Sequence, residues 1–395
     1  MANGKFQRPM PSKRKKQPNL FGDVFRGVRM TIVTAISLVI TIFVVSQMFF
    51  HGSENKSSGV FAGSDVAIMD RYDMHMTNQI STSLDGILSI EKVYWLRDED
   101  LVAPKPNQAL FGETDDPSTL QWLLDDAAKL LDGQETLFTT QTKIVPGTKV
   151  RYYLDETIFS ITWKQVMDYA VYTITEVKIA HPSQFRRFLA GGDFASEKAF
   201  FATEMAQSVN AVMASSGDFY RFRKWGTVVY QGVAHRVNGT HAHTCYIDDN
   251  GDLLFTRGGE LTELDAAQKY VDEHNIRFSL AFGPILVENG VHCEPEDYPL
   301  GEVNEEYARA SLAQKGDLHY LVVAANIEYG YEIVPDIHTF AKNVASFDVE
   351  KAYALDGGQT ATVVVNGELI NRVAKGYQRQ ISDIIYFATA VPNGG

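Results

Sequence analysis

The chain holds two cysteines in 395 residues, so no disulfide framework can stand in for a hydrophobic core. Internal repeats, heptad arrays and low-complexity tracts are also missing, which excludes solenoids, coiled coils and mainly disordered chains. There is no Gly-x-Gly-x-x-Gly phosphate fingerprint, no Gly-x-Ser-x-Gly elbow and no His-Glu-x-x-His helix, so the usual signatures of dinucleotide binding, serine hydrolysis and zinc proteolysis are lacking. A net positive balance is confined to one region. Residues 1–29 carry eight Lys/Arg and one acid, Asp23, for +7, and taking this from the net −13 leaves −20 on the remainder. So acidic a body is not a general nucleic-acid binder, because phosphate backbones demand a basic face. At 45% hydrophobic and 22% charged, the composition is globular rather than collagen-like.

What is present begins with residues 30–50, MTIVTAISLVITIFVVSQMFF, uncharged between Arg29 and His51 and about the ~20 residues that cross a bilayer core. A cleaved signal peptide has an apolar region of only ~7–15 residues, and no small-x-small cleavage site follows; a buried core helix is the other alternative. The basic head before the span places residues 1–29 in the cytoplasm and everything from His51 outward, by the positive-inside rule. The two cysteines that follow, Cys245 and Cys293, could pair there or remain buried thiols.

Residues 51–145 read as a tether rich in Ser, Gly and Asn, then a membrane-proximal helical region. Mixed helical spacing from Ile68 to Leu88 suggests a helix within 65–96, and Leu120–Leu131 suggests an amphipathic helix ended at Asp132-Gly133. Residues 146–395 change to short β-rich runs. Asn250-Gly251, Asn289-Gly290 and Asn366-Gly367 each follow an apolar run and predict three antiparallel hairpins. Helices are predicted at 195–214 and 337–347, and further strands at 227–230, 318–325 and 384–390. The pattern is α+β, with mixed, largely antiparallel sheets flanked by helices, preceded by one transmembrane helix.

The most informative local sequence is AYALDGGQTATVVVNGELIN, 352–371. A short strand delivers Asp356 to its end, two glycines permit close backbone approach, and Gln359-Thr360 add polar groups. The same letters also describe an ordinary Asp-Gly turn. In NAVMASSGDFYRFRKWG, 210–226, Asn210, Asp218, Arg221 and Arg223 suit a strand end feeding a binding loop, or a solvated turn. Arg309 and His319 in one later segment, and Arg379 and Asp383 in another, are further candidates. His241, His243 and Cys245 alternate along one strand and could ligate a metal, but no companion ligands accompany them.

Six segments in order, NAVMASSGDFY, GTVVYQGVAHR, SLAFGPILVENG, YARASLAQKGDLHYLVV, AYALDGGQTATVVVNGELIN and RQISDIIYFATA, resemble the phosphodiester glycosidase family over about residues 205–390. The membrane-anchored N-terminal half looks like bacterial cell-surface members rather than the lysosomal enzyme. The resemblance implies hydrolysis between a sugar's anomeric carbon and a phosphodiester oxygen; no cofactor or metal site is assigned from the sequence, and metal dependence stays open. Asp356, Asp218 and Arg309 then carry catalysis. Asn210, Arg236, His319, Gly357, Gly358, Gln359, Thr360, Asn371, Arg379 and Asp383 contact substrate. Gln359 departs from the lysosomal pattern, which tends to place another small residue there.

Such chemistry builds positive charge on the sugar, for a carboxylate to stabilise or attack, and negative charge on the departing phosphate. Arginines are therefore expected at the leaving group: Arg309 and Arg379, with Arg223 or Arg236 adding to a locally positive pocket in an acidic body. The expected partner is a phosphosugar-containing glycan or polymer at the cell envelope, as in exopolysaccharide metabolism. A non-catalytic glycan-binding envelope protein and a glycosyl transferase are the alternatives that fit the same pocket.

Overall fold

The computed structural model describes residues 100–238, 242–294, 305–328 and 330–391, with residues 96 and 298 and the backbone of strands β1 (Thr77–Thr82) and β2 (Leu88–Val93). β1 and β2 pair antiparallel, Thr77 opposite Val93, where the sequence suggested a helix. Ile80, Thr82, Ile90 and Val93 are β-branched and Asp85-Gly86 lies between the strands, so strand propensity and a hairpin dipeptide outweigh a mixed apolar spacing. The expected transmembrane helix at 30–50 and the basic head lie outside the described residues. Among the described residues no helix is long and apolar enough to cross a membrane.

β3 (Phe111–Thr114) leads into helix α1 (Pro117–Leu131). Asp116 caps α1 by accepting from the Thr119 amide, and Leu120, Leu123, Ala127 and Leu131 are its buried stripe, the 3–4 spacing of an amphipathic helix. Next come β4 (Val150–Leu154), β5 (Ile158–Met167), β6 (Ala170–Ile179) and β7 (Phe185–Leu189). Helix α2 (Ala202–Ser208) is shorter than the predicted 195–214 and is followed by β8 (Met213–Ser216). The chain turns at Asn210 (φ 56°), whose side chain donates to the Ala103 carbonyl. β8 is buried along its whole length, serines included, so no alternation of burial separates strand from helix.

β9 (Gly226–Tyr230), β10 (Val233–Asn238), β11 (Thr244–Asp248) and β12 (Leu253–Thr256) precede helix α3 (Leu264–Glu273). Then follow β13 (Ile276–Leu280), β14 (Ile285–Glu288) and β15 (Val291–His292). The last part contains β16 (Arg309–Gly316), β17 (His319–Asn326), helix α4 (Ile337–Ala345) and β18 (Lys351–Leu355). It closes with β19 (Val363–Val365), β20 (Glu368–Leu369) and β21 (Asp383–Phe387). All three Asn-Gly hairpins form, as β11–β12, β14–β15 and β19–β20. Asn289-Gly290 and Asn366-Gly367 have positive φ at both residues, the two-residue turn that matches strand twist. At Asn250-Gly251 only the glycine does.

Nine strands form one sheet in the order β15-β14-β18-β16-β17-β6-β5-β4-β3. Two five-stranded sheets have the orders β20-β19-β8-β21-β7 and β10-β9-β13-β11-β12. Every strand pairing among the described residues is antiparallel, so the sheets are not mixed as expected from sequence. One face of the nine-stranded sheet, with Phe159, Ile161, Trp163 and Val323, packs under α1 and α4. The alternate residues Ile158, Val177, Val322 and Leu355 face Met213, Ile385, Ile247 and Leu280 of the smaller sheets. The stretch before residue 146 thus supplies an edge strand and a covering helix to this sheet.

Candidate active site

The three larger sheets meet where β18 ends. Ala310 lies opposite Leu355, so the antiparallel register carries Arg309 and Asp356 to the same sheet end. The Asp356 amide donates to the Gly217 carbonyl (3.3 Å) and Ser216 Oγ to the Asp356 carbonyl (3.2 Å), tying the end of β8 to the end of β18. Ser216 in turn pairs with Ile384 of β21. Gly217 is required here, because a Cβ would collide with Asp383 Oδ2.

Behind this junction lies a buried charge network centred on Arg187 of β7, which sequence reasoning missed. Its Nη2 reaches Asp218 Oδ1 at 3.0 Å and Asp383 Oδ2 at 2.9 Å, with none of the three side chains exposed. Arg187 Nε also donates to Asp383 Oδ2 (2.9 Å), Nη1 to the Ser279 carbonyl, and the guanidinium lies over the Tyr220 ring. Burial opposes the charge on Arg187, but Asp218 and Asp383 more than offset it and raise its pKa. Burial raises Asp383, Arg187 opposes the rise, and the negative charge of Asp218 adds to it. Asp218 accepts from the amides of Tyr220 (2.7 Å) and Ala281 (2.7 Å) as well, so its oxygens are committed to holding the strand ends. Two arginines in the apolar run FRRFL were the sequence signal: a strand burying a cation must supply carboxylates from elsewhere.

Asp356 faces the other way. Its Oδ2 meets Arg379 Nη2 at 3.2 Å, with the aspartate side chain 9% and the arginine side chain 44% exposed. Burial pushes the carboxyl up to about 6, against the lowering effects of Arg379, the Thr360 hydroxyl and the charge of Arg223. Arg379 lies over Phe219, 4.9 Å from the ring centroid. The Arg309 guanidinium donates to the Glu305 carbonyl (2.5 Å) and lies 5.9 Å from the Tyr307 ring centroid. An ionisable carboxyl beside a cation at a half-open rim can serve as nucleophile or base, with the cation placed for an anionic leaving group.

The glycine pair is filled by protein. A Cβ on Gly357 would lie 2.5 Å from the Ala308 carbonyl oxygen, and one on Gly358 (φ 67°) 2.6 Å from Tyr307 Oη. The Gly358 amide donates to that Ala308 carbonyl (2.8 Å). These glycines therefore dock the loop after Asp356 onto the segment leading to Arg309. Gly357→Ala, with φ unstrained but backbone in the way, should displace this loop and lower kcat/KM by up to about 10²-fold, the cost of an ångström-scale misplacement. Steady-state kinetics on a responsive substrate check it.

The remaining candidates disperse. Thr360 donates to the Gly357 carbonyl and Gln359 to the Tyr377 carbonyl, so both brace the Asp356 loop. Arg236 donates to the carbonyls of Tyr220 and Arg223, underpinning the loop that carries Phe219. Asn371 bonds Asn326, the Ala361 carbonyl and the Val363 amide, pinning the β19–β20 hairpin. Asn210 is spent on Ala103. The structure does not bring His319 to the site: it pairs beside Gly316, about 24 Å along β16 from Arg309 at a strand rise of ~3.4 Å per residue. There it contacts Glu176 (2.8 Å) and Gln134 (3.0 Å). His241 lies outside the described residues, among which no three ligands converge on a metal position. Cys245 and Cys293 are free thiols.

Residues 209–388 match the family model described as phosphodiester glycosidase. No curated protein matches the chain. Among solved structures it is similar to the catalytic domain of zebrafish N-acetylglucosamine-1-phosphodiester alpha-N-acetylglucosaminidase, auto-inhibited by its pro-peptide. That match is 16% identical with a TM-score of 0.48, covering 66% of this chain and 92% of the other. A hypothetical protein from Synechocystis is 13% identical with a TM-score of 0.43, covering 63% and 64%. The matched stretch contains Asp218, Arg309, Asp356, Arg379 and Asp383, and over residues 209–388 the chain is similar to the phosphodiester glycosidase family.

Proposed function

We propose that the chain is a membrane-anchored, extracytoplasmic glycosidase that hydrolyses sugar-1-phosphodiester linkages in envelope glycans. The observation that carries the reading is the Asp356–Arg379 pair at a half-open rim, backed by a rigid buried network, within a family-matched segment. Anchoring rests on the apolar run 30–50 and its basic flank. Asp356 acts on the sugar, either activating the water that attacks the anomeric carbon or attacking it directly, in which case water then cleaves the glycosyl–Asp356 ester and frees the carboxylate. The C1–O bond breaks, its electron pair passes to the phosphate oxygen, and a phosphate monoester departs with little need for a proton. Arg379 and Arg309 take up the growing negative charge. Asp218, sealed and bonded to two amides and Arg187, positions the strand ends rather than meeting the sugar.

Incubating the full-length protein with a panel of α- and β-hexose 1-phosphodiesters tests this. Released sugar supports hydrolysis, a new glycoside points to transfer, and binding without either product to a glycan-holding module. The pH profile is a second check. Asp356 acts ionised and its pKa is raised to about 6, so kcat/KM should rise with unit slope through that pH and then level off. A profile flat across this range removes Asp356 from the mechanism.

A further inference from the structure

Arg223 is a cation with no ion-pair contact among the described residues, although its charge acts on Asp356. Its guanidinium makes no hydrogen bond or ion pair with any described residue, and Nη1 is sealed from solvent, while the side chain as a whole is half-buried. Aromatic faces hold it: its Cζ lies 4.3 Å from the Phe282 ring centroid, 5.8 Å from that of Phe219 and 5.9 Å from that of Trp225. The backbone beneath is fixed too, with the Arg223 amide donating to the Phe219 carbonyl (2.8 Å) and its carbonyl accepting from Arg236 (3.1 Å). Of the other arginines near the site, Arg187 is held by two aspartates, Arg379 by Asp356, Arg236 by two carbonyls and Arg309 by the Glu305 carbonyl.

Position makes this group relevant to the site. Arg379 stacks on the same Phe219 ring at 4.9 Å, so the two guanidinium groups share one aromatic platform. Phe282 precedes Gly283, whose amide donates to the Ala354 carbonyl two residues before Asp356. A guanidinium held by aromatic faces, with no carboxylate contact among the described residues, leaves its hydrogen-bond donors for an oxyanion, which it matches in planar geometry.

We propose that Arg223 is the second ligand, with Arg379, of the substrate's phosphoryl group, bound across Phe219 on the leaving-group side of Asp356. The assignment of that group as a phosphodiester rests on the hydrolytic reading above; the anion site itself does not. A diester carries one negative charge and the departing monoester two, so Arg223 binds the product-like transition state more tightly than the ground state.

The test separates the two readings. The probe is inorganic phosphate, titrated into full-length protein and read by calorimetry and by the fluorescence of Trp225 beside Arg223. Arg223→Gln should weaken phosphate at least ~10-fold and lower kcat/KM on a cleaved sugar-1-phosphodiester by about 10²–10³-fold, in the range seen for one lost preorganised donor. Arg223→Lys, which keeps the charge and safeguards against misfolding, should fall between Gln and wild type in both. Wild-type phosphate affinity in Arg223→Gln together with unaltered turnover overturns the proposal and leaves hydrolysis standing. So does wild-type protein that fails to bind phosphate. Phosphate binding lost on substitution, in a protein that cleaves no sugar phosphodiester, upholds the anion site and removes the hydrolytic reading.

Discussion

Asp356→Asn is expected to lower hydrolysis of a sugar-1-phosphodiester by about 10²–10⁴-fold, the contribution typical of a positioned acid or base, and more if the carboxylate is the nucleophile. Asparagine keeps the volume and an oxygen for the Arg379 Nη2 contact at 3.2 Å, so the rim should keep its shape. It removes the charge that burial penalises. Since the folded pKa is raised from 3.8 to about 6, the carboxyl contributes stability below its unfolded value that is lost as pH rises through 6. The variant should therefore melt no lower than wild type near neutrality, and higher if the burial penalty dominates. Retained activity in a folded Asp356→Asn protein would place the chemistry elsewhere.

Arg187→Ala should carry the largest stability cost, about 3–5 kcal/mol, the penalty for breaking a buried ion pair and leaving a charge uncompensated. Here two carboxylates are stranded, since Asp218 and Asp383 both lose Arg187 Nη2 at 3.0 and 2.9 Å. The sign with pH follows. Asp383 is already raised by burial, and without Arg187 its folded pKa rises further. Its stabilisation is then complete below the ordinary value of 3.8 and is lost as pH climbs toward and past neutrality. Denaturant titrations of wild type and variant should diverge most at high pH and converge on acidification. Adding Asp383→Asn to Arg187→Ala should recover part of the loss by removing one stranded charge. Equal unfolding midpoints for wild type and Arg187→Ala would show that the network is not what holds the three sheets together.

How much of this could be read in advance depends on how local each signal is. The Asn-Gly hairpins needed only a turn dipeptide and flanking apolar runs. Helix α1 was legible because its 3–4 spacing and its Asp132-Gly133 end agree within one short segment. The helix expected through residues 195–214 failed where a fully buried strand, Met213–Ser216, carries no periodicity of its own. Among site residues, Asp356 was visible at the end of an apolar strand, but what packs against the glycines beside it was not. Their space is taken by the Ala308 carbonyl and Tyr307, neighbours that no local pattern announces. His319, Asn210 and Asn371 were drawn toward the site by motif alone, and each is committed to partners elsewhere.

The sequence by itself determined the charge asymmetry of the chain, its strand-rich body and the strand end that carries Asp356, because each depends on residues adjacent along the chain. Only the tertiary structure decided which charges are spent and which are available. Asp218 and Asp383 are consumed by Arg187, which lies across the sheet at positions fixed by strand pairing. Arg379 meets Asp356 at the rim, and Arg223 is walled by aromatic rings from two separate loops, with no ion-pair contact among the described residues. Electrostatic energy depends on distance and burial, and neither is a property of position along the chain.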